Sequence, residues 1–400
     1  MISKRELFLA HVGQTSSMPL SLEIDRAEGM YIFSTEGKQY LDLNSGISVS
    51  SLGHRHPNVL RAIQDQLDKY MHTMVYGEHV QAPQVEFTQL LLSKLDRSFQ
   101  RVYFVMTGTE TVELAIKLSR RYTGRTKILC CRNAYHGSTI GAESLRSDTA
   151  FTMHFQPSLP GIEHINFNSF DDLNKIDNHT AAVIMEPVQA EAGVMSPTND
   201  YLKAVRKKCA EHSALFVLDE IQTGFGRTGE LFAHQKYGVV PDIMLLGKSM
   251  GGGMPIGACV SSKEILDVII KNPALGHITT FGGHPVSASA ALATLSTLLS
   301  GDIIASVQRK ETLIRETLRH EIISEVRSSG LMMAVEISKK KYLKHVVQHT
   351  IEQGALIDYF LFNRKSFRLA PPLIISDKEI LKACEILLRS MDYAQKKYKN

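Results

Sequence analysis

Ala214-Leu215-Phe216-Val217-Leu218-Asp219-Glu220 and, further along, Pro241-Asp242-Ile243-Met244-Leu245-Leu246-Gly247-Lys248 are two short apolar runs that stop at charged residues. Neither alternates apolar with polar positions, which predicts strands buried on both faces of a mainly parallel sheet. Runs at 102–106, 128–131, 181–185 and 258–260 have the same character. Amphipathic stretches such as 110–121 and 200–212 lie between them and predict helices. Strands alternating with helices imply right-handed crossovers and a doubly wound α/β sheet. In such sheets ligands sit beyond the carboxyl ends of the strands. The residues with the most chemistry in this chain fall just after these runs.

Outward from that centre the pattern changes. Met30-Tyr31-Ile32-Phe33 and Gln39-Tyr40-Leu41-Asp42 flank Glu36-Gly37-Lys38, which predicts a hairpin. Beyond Gly301 come helical segments and a strand-like 331–337 stretch led in by Gly330. The chain has 400 residues, more than one typical domain. The expected division is a small domain from residues 1–60 and 301–400 around a large one at 61–300.

Composition excludes several classes. Lys+Arg 45 against Asp+Glu 41 gives a net charge of +4, with both signs scattered. A nucleic-acid or membrane surface would cluster its basic residues, so neither partner is expected. The apolar runs are too short and broken for a membrane span, and Met1-Ile2-Ser3-Lys4-Arg5-Glu6 has no apolar core of a secretory signal. The five cysteines, Cys130, Cys131, Cys209, Cys259 and Cys384, are odd in number and without C-x-x-C spacing. They predict neither a disulfide framework nor a zinc site, and they suit a reducing cytoplasm.

Four segments at run ends carry chemistry. Thr107 and Glu110 in Thr107-Gly108-Thr109-Glu110 fit a capping box, and Gly108 admits a ligand close to backbone. The N–H groups at such a helix start form a phosphate seat, although an ordinary capped helix carries the same residues. Tyr135 in Tyr135-His136-Gly137 can stack on a planar heteroaromatic ring, or simply belong to the core. Asp219 and Glu220 end an apolar strand, where two carboxylates require partners. A carboxylate facing a pyridine nitrogen would keep it protonated and make the ring an electron sink; metal binding or a strand-end turn are the alternatives. Lys248 follows a buried run, where lysine is rare unless paired or functional. Desolvation would lower its pKa and leave a nucleophilic amine able to form an imine. A surface lysine before the flexible Gly251-Gly252-Gly253 run is the plainer alternative.

In this order and spacing the segments resemble the class III (ω-) aminotransferases of the fold-type-I pyridoxal-phosphate family, from about Leu22 to Asp377. The firmest matches are Leu218-Asp219-Glu220-Ile221-Gln222-Thr223-Gly224-Phe225-Gly226-Arg227-Thr228-Gly229 and the 241–257 stretch around Lys248. Gly53-His54-Arg55-His56-Pro57, Glu186-Pro187-Val188-Gln189-Ala190-Glu191-Ala192-Gly193, Phe281-Gly282-Gly283 and Phe367-Arg368-Leu369-Ala370-Pro371-Pro372 match as well. The resemblance implies an α/β fold with a mainly parallel seven-stranded sheet sandwiched by helices, and a smaller α+β domain built from both chain ends. It implies pyridoxal 5'-phosphate as cofactor, an amino donor and a 2-oxo acid as substrates, no metal, and an obligate homodimer. Lys248 resembles the Schiff-base lysine and general acid/base, Asp219 the partner of the pyridine nitrogen, and Gln222 the contact to the phenolic oxygen. Gly108 and Thr109 resemble the phosphate-binding backbone and Tyr135 the stacking aromatic, with His136 and Glu186 in the same cofactor-binding set. Thr280, beside Thr279, resembles the threonine that reaches the phosphate of the other subunit. Arg368 resembles the arginine that grips the α-carboxylate of glutamate or 2-oxoglutarate. Glu191 resembles the acid that pairs with it and swings away when the keto acid arrives.

Departures from the family pattern concern the substrate. Members acting on acetylornithine, ornithine and 4-aminobutyrate commonly carry Arg where this chain has Ser138, and a hydroxyl cannot pair with a carboxylate as a guanidinium fork does. Ornithine-type members often have Tyr where this chain has Ile47. Both changes make the far end of the pocket less polar. Val112 and His284 each replace a common Asn, with no functional reading from sequence. The implied reaction moves an amino group from an ω-amino donor of the acetylornithine or ornithine type to 2-oxoglutarate or another 2-oxo acid. 4-Aminobutyrate, lysine and diamines are alternative donors. A racemase, mutase or decarboxylase on the same scaffold, and a silent binding protein, are the competing functions. Retention of Lys248, Asp219, Gln222, Thr280 and Arg368 speaks against the silent protein, and the Glu191–Arg368 pair favours transamination.

Overall fold

The computed structural model describes residues 2–398. Its centre is a seven-stranded sheet in the spatial order Arg101–Val105, Gly257–Ser261, Ile243–Leu246, Leu215–Asp219, Thr180–Met185, Lys127–Cys131, Ile162–Ile165. All pairings from Ile243–Leu246 to Ile162–Ile165 are parallel, and only Gly257–Ser261 runs against its neighbours. Along the Leu215–Asp219 strand, Leu215 and Val217 pack on one face with Leu114 and Leu118 of the Gly108–Thr123 helix. Phe216 and Leu218 pack on the other with Leu202 and Val205 of the Tyr201–Glu211 helix. Both faces are apolar because both are covered, which is why the strand does not alternate.

Six of the seven strands lie where the apolar runs predict them, shifted by a residue at most. Ile162–Ile165 has no such run. It is an edge strand with Glu163 exposed and His164 half-buried, so its pattern carries little signal. The Gly108–Thr123 helix begins two residues before the expected stretch because Thr107 and Glu110 close a capping box around its start. Gly124, at φ 69°, ends it in the left-handed conformation.

The two chain ends meet beside this sheet. Ile24–Glu28, Tyr31–Ser34 and Gln39–Asp42 form an antiparallel ribbon, and Ala355–Leu356 adds to it in parallel beside Gln39–Asp42. A second antiparallel sheet orders Ile323–Ser329, Met332–Ile337, Ser366–Leu369 and Asp358–Tyr359. The Lys340–Glu352 helix packs against this sheet and against the Asp377–Lys396 helix, burying Leu343, Val346, Ile380 and Leu387. Among the described residues no helix is long and apolar enough to cross a membrane.

Candidate active site

Residues just beyond the parallel strands surround a cavity of about 480 Å³. Gly108 and Thr109 line it from the start of the Gly108–Thr123 helix, and Tyr135 to Thr139 line it from the loop after Lys127–Cys131. Glu186, Asp219 and Lys248 line it from the ends of the three central strands, with Ile221 and Gln222 from the turn after Asp219. The first N–H groups of an α-helix have no partner within the helix, and its dipole favours negative charge there. The capping box uses the Glu110 N–H, so the helix presents Gly108 and Thr109 to the cavity. This corner accepts backbone only at close range. Gly137 sits at φ 136°, and a Cβ on it would collide with the Thr109 hydroxyl. A Cβ on Gly108 would press to 3.0 Å from Ile221.

A buried acid–base cluster forms another wall. His136 Nδ1 and Asp219 Oδ2 are 2.7 Å apart, and the second Asp219 oxygen accepts the Ile221 N–H at 3.0 Å. Burial works against a charge on His136, but the hydrogen bond and charge of Asp219, with the charge of Glu186, outweigh it and raise its pKa. Glu186 is pushed up to about 7, chiefly by burial, with His136 pulling down and Asp219 pushing further up. Glu186 Oε1 accepts the Ala190 N–H at 3.0 Å.

Lys248 lies in the same cavity with a backbone φ of 46°, a left-handed conformation costly for a non-glycine residue and concentrated at functional sites. Its Nζ donates to Gln222 Oε1 at 2.9 Å. Burial lowers the pKa of its amine; Glu191 opposes that shift, Arg368 adds to it, and Asp219 and Glu186 oppose it. The Glu191–Arg368 pair therefore stands close enough to act on Lys248, although neither residue lines the main cavity. Arg368 Nη2 donates to Glu191 Oε1 at 2.6 Å, with both side chains buried.

Other expected site residues stand apart. Ser138 lines the mouth, exposed, its hydroxyl 3.2 Å from that of Tyr135. Ile47 is 39% exposed at φ 61°, in a left-handed turn at Ser45–Ser48. Thr280 is exposed and does not line the cavity, while the Thr279 hydroxyl accepts the Gly282 N–H at 3.0 Å. Val112 is wholly buried in the core, and His284 caps the Pro285–Leu299 helix with its ring stacked on His72 at 5.3 Å. Sequence reading passed over Thr139, whose hydroxyl lies 2.8 Å from that of Thr109, and Asp358, 3.4 Å from Arg368 Nε. A lone acid after the apolar Ala355-Leu356-Ile357 was the available signal for Asp358; Thr139 offered none.

The lining suits a planar, anionic heteroaromatic group. His136 Nε2, Glu186 Oε2 and Gln222 Nε2 are buried without hydrogen-bond partners, and buried polar atoms left unpaired are costly. A phosphate suits the helix start, and a pyridinium suits the carboxylate cluster. Among the described residues no group of three or more His, Cys, Asp or Glu could hold a metal ion.

Comparison with known proteins agrees with this reading. The sequence model of the family described as aminotransferase class-III matches residues 12–391. The acetylornithine aminotransferase of Methanopyrus kandleri is 38% identical over 378 residues, covering 93% of this chain and 94% of the relative. That of Caldanaerobacter subterraneus is 36% identical over 377 residues, covering 90% and 92%. The ornithine aminotransferase of Toxoplasma gondii superposes with a TM-score of 0.90 at 30% identity, covering 99% of this chain and 97% of that one. Another structure of that enzyme holds PLP at partial occupancy in its active site. With the fold, the cavity and these relatives in agreement, this chain belongs to the class III aminotransferases, enzymes that use pyridoxal 5'-phosphate.

Proposed function

We propose that this aminotransferase takes its amino group from an ω-amino donor of the acetylornithine or ornithine type, passes it to 2-oxoglutarate or a similar 2-oxo acid, and works as a cytoplasmic homodimer. The observation that carries the reading is the buried Glu191–Arg368 pair at 2.6 Å, close enough to shift the Lys248 amine. A site serving two unlike substrates needs a cation for the acceptor's α-carboxylate that can be neutralised when an ω-amine brings none. Arg368 offers a guanidinium fork, and Glu191 neutralises it at no cost in unpaired buried charge. The acetylornithine aminotransferases among its relatives support the donor class. Ser138 favours a second reading, in which donors without a distal carboxylate, such as diamines, are also taken. Arg146, 5.8 Å from the Tyr135 ring, does not replace the missing arginine, since Glu143 and Asp148 already engage it.

Pyridoxal 5'-phosphate, when bound, supplies an aldehyde that condenses with amines and a pyridine ring that withdraws electrons from the adjoining carbon. Gly108 and Thr109 would hold its phosphate through backbone N–H groups. Asp219, kept in place by His136 and the Ile221 N–H, would hold the proton on the ring nitrogen. Gln222 orients the Lys248 amine, and burial keeps more of that amine unprotonated than in water. Lys248 Nζ would bind the cofactor covalently, yield to the incoming amine, then carry a proton from the substrate carbon.

The dimer is supported by the surface around Thr280. Met71, Val80, Ile278 and Phe281 are large apolar residues exposed on two segments that pack together, through the His72 and Phe281 rings at 5.1 Å. An apolar surface of this kind marks an interface, and a second copy there would bring Thr280 to a neighbouring site.

Single-turnover kinetics of each half-reaction tests the proposal. Arg368→Lys is expected to slow the 2-oxo-acid half-reaction by about tenfold or more while leaving the ω-amine half-reaction nearly intact. Equal losses in both halves would rule out the switch, and a donor panel against 2-oxoglutarate and pyruvate identifies the substrates.

A further inference from the structure

Asp358 faces Arg368 across neighbouring antiparallel strands, so one buried guanidinium meets two carboxylates. The two acids are held very differently. Glu191 accepts Arg368 Nη2 at 2.6 Å and the Leu361 N–H at 3.0 Å, and its carbonyl accepts the Phe362 N–H at 3.2 Å. Asp358 Oδ1 lies 3.4 Å from Arg368 Nε without forming a hydrogen bond, and both atoms are buried unpaired, as is Arg368 Nη1. Attraction at a distance is all that this oxygen receives from the arginine.

We propose that Asp358 is a specificity-determining residue that, while ionised, competes with the acceptor's α-carboxylate for Arg368 and, once neutral, releases Arg368 to it. The proposal rests on the reading of Arg368 as the acceptor's anchor. Charge arithmetic gives the physical reason. With both acids ionised, the Glu191–Arg368–Asp358 trio carries one net negative charge. When Glu191 withdraws, an ionised Asp358 can close on the unpaired Nε and Nη1 of Arg368 and keeps a second negative charge beside the acceptor carboxylate. With Asp358 neutral, the same exchange ends in a balanced pair. A like charge a few ångströms away weakens carboxylate binding by roughly five- to tenfold even with the full screening of water. Glu191 is secured by two strong hydrogen bonds, so Asp358 is the carboxylate whose charge is more readily given up.

The groups facing Asp358 set the direction of the pH dependence. Burial is the largest influence and raises its carboxyl; Arg368 opposes, Glu191 and Asp42 add to the rise, and Lys248 opposes, leaving it at about 6. As pH falls through that value Asp358 takes up a proton, and affinity for an α-carboxylate is expected to rise.

Glutarate, a dicarboxylate lacking the reactive carbonyl, is the probe. Its affinity for the cofactor-loaded enzyme is measured by calorimetry between about pH 5 and pH 8. Wild type is expected to bind about tenfold more weakly at the upper end. Asp358→Asn, which keeps the shape without the charge, is expected to bind at the low-pH strength throughout. An Asp358→Asn holoenzyme with wild-type affinity and slope overturns the proposal. If that variant does not fold, a flat wild-type profile still overturns the proposal. Arg368→Lys separates the two readings: unchanged glutarate affinity there rejects Arg368 as the anchor, whatever Asp358 does.

Discussion

Lys248 combines three properties rarely found in one lysine: a left-handed backbone, a buried amine and a glutamine aligned with it at 2.9 Å. Strain of this kind costs on the order of 1–3 kcal/mol and persists where the surroundings enforce it. Lys248→Ala is expected to abolish turnover, and mass spectrometry after borohydride reduction of wild type should find the cofactor on Lys248. Label on another lysine would overturn the assignment. Asp219 is the other residue on which the proposed chemistry rests. Asp219→Asn keeps the shape and the Ile221 N–H acceptor but loses the charge that faces His136. Removing one preorganised electrostatic contact costs on the order of 10²–10³ in kcat, which steady-state kinetics would read. A variant near wild-type rate would mean that another group keeps the ring protonated.

At the scale of elements, the site depends on how a loop and a helix start fit together. Gly137 approaches Thr109 so closely that no side chain fits, and the Thr109 and Thr139 hydroxyls bridge the same junction. Gly137→Ala combines this clash with a φ of 136° that alanine adopts poorly. The expected result is a loss of about 1–3 kcal/mol in stability and a weakened hold on the phosphate. Thermal melts with and without cofactor check both. An unchanged cofactor affinity would show that the phosphate seat lies elsewhere.

For the whole molecule, the exposed apolar segments around Thr280 predict self-association. Sedimentation at assay concentrations is expected to find a dimer, and Thr280→Ala is expected to weaken cofactor retention without splitting it. An active monomer would refute both the dimer and the part assigned to Thr280. The same scale explains the pairing of Gln39–Asp42 with Ala355–Leu356, which ties the two chain ends into one sheet. Arg227 links the two chain ends at a separate point. Fully buried, with its pKa lowered to about 9 by burial, it donates to the carbonyls of Leu331 and Pro371 and lies 3.1 Å from the Ser51 hydroxyl.

Sequence alone determined what local patterning and chemical type can carry. Unalternated apolar runs marked the strands at 101–105, 127–131, 180–185, 215–219, 243–246 and 257–261, because burial on both faces leaves no room for polar positions. Asp219 and Lys248 were legible for the same reason: a charge ending such a run demands an explanation. The edge strand Ile162–Ile165 and the ribbon strand Ile24–Glu28 were not, since partial exposure blurs their pattern. Tertiary structure alone decided which partners meet. The 2.7 Å contact of His136 with Asp219 joins residues far apart in the chain, and the convergence of Glu191 and Asp358 on Arg368 joins three separate segments. Spacing along a chain does not encode such distances, because they arise from the crossovers and strand order that bring the segments together.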